Sequence, residues 1–116
     1  MTTFIVSTEN FIAKAIACKA LKQNRETLDR MIKTNTANNT IIDDILPEYE
    51  AICRLYRKAS MNKGKIVIAN MDELVAWRDA IKNYKPANTT ESKVYRVLAA
   101  KAVNAVNIRN RIGLEA

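Results

Sequence analysis

Turn-forming residues are scarce in this chain, and this scarcity limits the folds that it can adopt. Only two glycines and two prolines occur among 116 residues. An all-β fold needs many tight turns, and glycine and proline supply much of the backbone geometry of such turns. Hydrophobic residues make up 48% of the chain, which is enough to build a core without disulfides or metals. The sequence therefore predicts a mainly α (α+β) fold in a single compact domain, residues 1–116.

Two short apolar runs, Phe4–Val6 and Ile66–Ile68, stand apart from the helical pattern. Each is followed by polar residues that can cap a helix, Ser7-Thr8 after the first run and Asn70 after the second. Three consecutive apolar residues fit a short strand that is covered on both faces. We therefore expect the two runs to pair as a small two-stranded sheet. Glu73 follows Asn70 at the third helical position and completes a variant of the capping box.

Apolar residues recurring at intervals of three and four predict about four helices. Their expected bounds are from after Thr8 to residue 33, from Asp43 or Asp44 to about Ser60, from Met71 to Tyr84, and from Glu91 to Ile112. Pro47 is expected in the first turn of the second helix, and Gly113 directly after the last helix. The residues 34–40 form the clearest predicted loop.

Positive charge is concentrated at the two ends of the sequence. Residues 1–35 hold six Lys and Arg against three acidic residues, and residues 85–116 hold six against two, within a net charge of +7. A clustered excess of this kind attracts nucleic acid, an anionic membrane face or an acidic protein surface, and we expect one of the first or last of these rather than a membrane. The alternative interpretation is a solvated basic surface with no polyanionic partner.

The last helix carries the best candidate contact residues. Lys93, Arg96, Asn104, Asn107 and Arg111 fall on one stripe at helical spacing, with Lys101 and Arg109 beside it. Arginine and asparagine side chains reach both phosphates and base edges, and a major groove admits a helix. From the first helix we add Lys14, Lys22 and Arg25. The alanines of the last helix would also allow close helix packing, either within one chain or in a homodimer.

Among the aromatic residues that could serve at an interface, Trp77 is the leading candidate, beside Tyr49, Tyr56, Tyr84 and Tyr95. Tryptophan is frequent at protein interfaces, but Trp77 also shares an apolar helical stripe with Leu74 and Ile81. Both interpretations, a core residue and an interface anchor, are open from the sequence.

Catalytic arrangements are missing. The chain has no histidine, so neither Cys18 nor Cys53 has a histidine to activate it, and two glycines cannot form a phosphate-binding loop. The sole acidic cluster, Asp43, Asp44, Glu48 and Glu50, suits a helix start, and its alternative use would be a metal site in a nuclease. We therefore predict no enzyme activity, no cofactor and no metal.

The N-terminal segment lacks the features of an export signal, and no stretch is apolar enough to span a membrane. We expect a cytoplasmic protein with reduced, buried Cys18 and Cys53. The leading functional hypothesis is a small regulatory protein, like those of phages and mobile elements, that acts on nucleic acid or a nucleic-acid-handling complex. The alternative is a viral accessory inhibitor or adaptor that binds a host defence or transcription complex, and the second alternative is the metal-dependent nuclease.

Overall fold

The described part of the chain forms four helices and a two-stranded sheet. The computed structural model describes residues 4–35, 39–61 and 64–115. Its elements are, in chain order, β1 (Phe4–Ser7), α1 (Phe11–Thr34), α2 (Asn39–Met61), β2 (Lys65–Ile68), α3 (Met71–Asn83) and α4 (Thr89–Glu115). The predicted mainly helical fold with a small sheet is confirmed.

The two strands pair antiparallel and give the sheet one buried face. Phe4 lies opposite Ile68, and Val6 lies opposite Ile66. Because side chains alternate between faces, these four point to one side, where Val6, Ile66 and Ile68 are buried. The other face carries Ile5, which is 55% exposed. The sheet thus covers the core on one side only.

The first helix begins later than the sequence predicted. The cap is Asn10, whose Oδ1 accepts hydrogen bonds from the backbone N–H groups of Ile12 and Ala13. The expectation of a cap at Ser7-Thr8 is therefore wrong. Thr8 instead continues the sheet, because its N–H donates to the carbonyl of Gly64 at 2.9 Å.

The last two helices begin with the same capping motif, an asparagine followed three residues later by a glutamate. Asn70 accepts from the N–H of Glu73 at 2.9 Å, and Asn88 accepts from the N–H of Glu91 at 2.8 Å. In both cases the glutamate carboxylate reaches back to the N–H of the residue directly before the cap, at 3.2 Å. The predicted cap at Asn70 is confirmed, and the second one explains why α4 starts at Thr89 rather than at Glu91.

One hydrophobic core joins the elements. α4 packs against α3 and α1, while α2 packs against α1, α3 and β2. The largest fully buried side chains are Ile16, Leu21, Ile52, Leu55, Ile66, Ile68, Leu74, Trp77, Ile81 and Val106. None of the helices in the described ranges has an apolar stretch that could cross a bilayer.

Two helices are longer than expected. α2 begins at Asn39, so Pro47 lies inside the helix rather than in its first turn, and the predicted loop at 34–40 is shortened. Proline inside a helix removes the N–H that would bond the carbonyl four residues earlier, which makes such a position a poor sequence signal for continuation. α4 continues through Gly113, so the expected end at this glycine is also wrong.

Candidate partner-binding groove between β1 and α4

The predicted contact residues of α4 are turned to solvent. Lys93, Arg96, Lys101, Asn104 and Asn107 are all exposed. Within the described part of the chain, neither Lys93, Arg96 nor Lys101 forms an ion pair. The side chain of Arg111 lies outside the described residues. This side of α4 is therefore positively charged without local compensation.

Arg109 has a different environment from its neighbours on α4. It is half-buried, and its guanidinium lies over the ring of Phe4, 5.8 Å from the ring centre. Its Nη1 also donates to the carbonyl of Ala105 at 3.2 Å. These contacts hold the C-terminal part of α4 against β1, so Arg109 acts as an anchor within the fold rather than as part of the exposed stripe.

Two of the three predicted basic residues of α1 lie away from its contact with α4. The three predicted residues are Lys14 and Lys22, which are exposed, and Arg25, which is half-buried. Lys14 and Arg25 are about three turns apart and therefore share one side of α1, and the guanidinium of Arg25 lies 4.5 Å from the ring centre of Tyr56 on α2. α4 meets another side of α1, where Lys19 lies 3.9 Å from Glu91. Lys14 and Arg25 thus lie on a different side of α1 from its contact with α4.

Trp77 belongs to the core. It is 1% exposed and packs in the same cluster as Leu74 and Leu98. The interpretation of Trp77 as an exposed interface anchor is therefore corrected, and its alternative as a core residue agrees with the structure.

One edge of β1 is unpaired. Antiparallel pairs alternate between hydrogen-bonded and non-bonded positions. Because Thr8 bonds directly to Gly64 opposite it, the alternation places Val6 and Phe4 in bonded pairs with β2. The backbone N–H and C=O groups of Ile5 and Ser7 therefore point away from β2. In the described part of the chain they have no hydrogen-bond partner.

The outer edge of β2 is partly occupied by side chains. The Nζ of Lys58 donates to the carbonyl of Val67 at 2.9 Å, and the carboxylate of Glu73 accepts from the N–H of Ala69 at 3.2 Å. Lys58 also lies 2.7 Å from Glu73, which in turn accepts from Arg54 at 3.0 Å. Burial alone would raise the pKa of Glu73, but the hydrogen bonds from Lys58, Ala69 and Arg54 lower it below its usual value.

A groove of about 440 Å³ runs between the free edge of β1 and α4. All four residues of β1 line it, and because they point alternately to the two faces of the sheet, the groove lies along the strand edge. Its floor is apolar and includes Val6, Ala13, Trp77 and Leu98, which are buried. Val97, at 53% exposed, lies on the α4 side.

Two lysines border this groove. Lys93 and Lys101 contribute to its lining, and no carboxylate does. The contact of Arg109 with Phe4 places the C-terminal half of α4 near the start of β1. At the other end, Thr90 and Glu91 lie beside Phe11 and Ile12. α4 therefore runs alongside β1 in the opposite direction, with Val97 between the two lysines.

No protein-family model, curated protein or solved structure matches this chain significantly. The assignment of a function therefore depends on the geometry of the groove and of the surrounding charges.

Metal chemistry has little geometric support. In the residues that the structure describes, no group of three or more cysteine, aspartate or glutamate side chains could hold a metal ion. Asp43 and Asp44 are exposed. Glu48 is half-buried, and its pKa is raised first by burial and then by the charge of Asp79 on α3. The acidic cluster of the sequence is thus divided between solvent and the α2–α3 contact.

The cysteines are unbridged and half-buried rather than fully buried. The Sγ of Cys18 lies 3.9 Å from the carbonyl of Ala59 on α2. This contact places Cys18 in the packing between α1 and α2, away from the groove.

Proposed function

We propose that this protein is a non-enzymatic binding protein that captures an acidic segment of a partner protein in the groove between β1 and α4. The observation that carries the proposal is the composition of the groove lining, an apolar floor bordered by Lys93 and Lys101 with no carboxylate. An apolar site with a few fixed polar groups is typical of ligand and peptide sites. Charge complementarity then selects an acidic occupant.

The exposed apolar side chains favour a protein partner over a nucleic acid. Ile5 and Val97 lie at the groove and are both more than half exposed. Apolar area next to charge is typical of protein-binding surfaces, whereas phosphate contacts need hydrogen-bond donors. On α1, Lys14 and Arg25 also lie on a different side from Lys19, the residue that meets Glu91 of α4, so they do not extend the charge of α4.

The test is a selection of random peptides on the full chain, followed by affinity measurements with individual synthetic peptides. We expect the selected peptides to be acidic. Charge reversal at the groove, Lys101→Glu, should weaken their binding roughly tenfold or more. Arg96→Glu is the matched control, because five residues separate Arg96 from Lys101 and turn it about 140° around the helix, away from the groove. Equal binding by wild type and Lys101→Glu would overturn the proposal.

Nucleic-acid binding by α4 is the second candidate, favoured by the exposed stripe of Lys93, Arg96, Asn104 and Asn107. It predicts the opposite response of the same two variants. Arg96→Glu should reduce binding to random duplex DNA, and binding should fall steeply with salt. Absence of salt-dependent binding to duplex or single-stranded DNA at low salt would end this candidate.

A further inference from the structure

Besides its apolar floor and its lysines, the groove contains backbone N–H and C=O groups of Ile5 and Ser7 that have no hydrogen-bond partner in the described part of the chain. The N–H and C=O groups of these two residues point outward from the free edge of β1, toward the space beside α4. Unpaired groups at a sheet edge are a template for another strand. On the outer edge of β2, by contrast, the carbonyl of Val67 already binds Lys58, and the N–H of Ala69 just beyond the strand binds Glu73.

We infer that the acidic segment binds as an extended strand that adds to the free edge of β1. This inference rests on the proposed function, because the occupant is the same acidic segment. In such strand addition the main-chain hydrogen bonds to Ile5 and Ser7 supply affinity, while alternate side chains enter neighbouring pockets and supply specificity. The bound strand lies between β1 and α4, with one row of its side chains toward α4.

The spacing of the lysines specifies the sequence pattern of the strand. Lys93 and Lys101 are eight residues apart on α4, about 12 Å along the helix axis. Residues i and i+4 of a strand lie on the same face, about 13 Å apart. Acidic residues at positions i and i+4 can therefore meet the two lysines. The residue at i+2 faces Val97, which favours an apolar side chain there.

A second copy of this chain is a poor occupant of the same edge. Pairing two β1 strands about a two-fold axis would bring the same lysines of both copies to one interface. The net charge of +7 on each copy opposes that association. An acidic segment carries the negative charge that complements Lys93 and Lys101.

The experiment compares two substitutions at the open edge. Ile5→Pro removes one outward N–H and no hydrogen bond within the sheet, and proline is tolerated where the N–H of an edge strand faces outward. Ile5→Thr keeps the N–H and a β-branched side chain. Ile5→Thr therefore measures the contribution of the apolar side chain, and we expect Ile5→Pro to weaken the selected acidic peptides roughly tenfold more than Ile5→Thr does.

A second measurement does not depend on the folding of a variant. Peptides methylated at single backbone nitrogens should lose affinity for the wild-type protein at alternate positions only, since every second N–H of an added strand points toward β1. Uniform tolerance of backbone methylation would overturn strand addition.

The outcomes separate this inference from the proposed function. If peptides bind in a Lys101-dependent manner but tolerate Ile5→Pro and backbone methylation, the groove function stands and strand addition fails. If binding does not depend on Lys101, both fail. A stable homodimer that dissociates on Ile5→Pro, measured by light scattering without peptide, would replace the acidic segment with a second copy and overturn the inference.

Discussion

The hydroxyl of Tyr84 donates a 2.6 Å hydrogen bond to the carboxylate of Glu91. Tyr84 ends α3 and Glu91 lies in the first turn of α4, so this bond fixes the corner where the groove-forming helix begins. The same carboxylate accepts from the N–H of Ala87. Burial, together with the bond to Glu91, raises the pKa of Tyr84 to about 12. The bond from Tyr84, followed by that from Ala87, lowers the pKa of Glu91.

Tyr84→Phe should destabilise the protein and loosen α4. Tyr84 is buried, and removal of its hydroxyl leaves the Glu91 carboxylate with one donor fewer. We therefore expect the midpoint of thermal unfolding to fall by roughly 4 °C. Tyr95→Phe is the matched control, because the Tyr95 hydroxyl lies 3.5 Å from the carbonyl of Lys82, at the limit of a hydrogen bond. Equal midpoints for the two variants, measured by circular dichroism, would contradict the assigned role of the Tyr84 bond.

Glu73→Gln should reduce the free energy of unfolding by about 2 kcal/mol. The Glu73 side chain is 3% exposed and accepts from Lys58, Arg54 and a backbone N–H. The expected cost is below that of a fully buried ion pair, because the Arg54 side chain remains 42% exposed and keeps part of its hydration. Asp72→Asn changes an exposed acid in the same helical turn and should have little effect in urea unfolding.

The lowered pKa of Glu73 also predicts a pH dependence. A carboxyl whose pKa is lower in the folded state contributes its stability above the ordinary glutamate pKa, and that contribution is lost as pH falls through the folded-state pKa. Unfolding measured from pH 7 downward should therefore show a loss of stability below about pH 4.3. Glu73→Gln should show a smaller loss over that range. Parallel curves for the two proteins would exclude this coupling.

The open edge of β1 predicts an alternation in amide hydrogen exchange. The N–H groups of Phe4 and Val6 bond to β2, whereas those of Ile5 and Ser7 point outward. In the free protein, Val6 should exchange roughly tenfold or more slowly than Ile5 and Ser7, as followed by NMR. Addition of a selected acidic peptide should slow Ile5 and Ser7. Similar protection at all four positions in the free protein would show that the edge is covered.

Trp77 provides an optical signal for the groove. It is the only tryptophan in the chain, it is buried, and it lines the groove floor. We expect emission typical of an apolar environment, weak quenching by acrylamide, and a change in intensity when an acidic peptide binds. The change should be much smaller in Lys101→Glu at the same peptide concentration. Strong acrylamide quenching of the free protein would contradict the burial of Trp77.

Local signals in the sequence predicted the elements of this fold, while its site depends on contacts between distant segments. The cap at Asn70 was recognisable because Glu73 follows it at the required spacing. The same pattern at Asn88 and Glu91 was hidden in a stretch interpreted as loop after Pro86. These features involve residues only a few positions apart.

The groove has no comparable local signal. Helical spacing correctly placed Lys93 and Arg96 on the exposed side of α4, but it did not indicate that Lys101 and Val97 border the free edge of β1. That relation arises because Arg109 contacts Phe4, a residue at the opposite end of the sequence. The position of the groove therefore depends on packing across the whole chain. The same holds for the placement of Lys14 and Arg25 on a different side of α1 from its contact with α4.

The hydrogen bond from Lys58 to the carbonyl of Val67 has a consequence for the growth of this sheet. A sheet with two open edges can extend into a fibril, since each added molecule offers a new edge to the next one. Here the carbonyl of Val67 is bound by Lys58 and the N–H of Ala69 by Glu73, so a strand that paired with β2 would have to displace both side chains. The ion pair of Lys58 and Glu73 that stabilises the folded chain thus also opposes growth of the sheet at this edge.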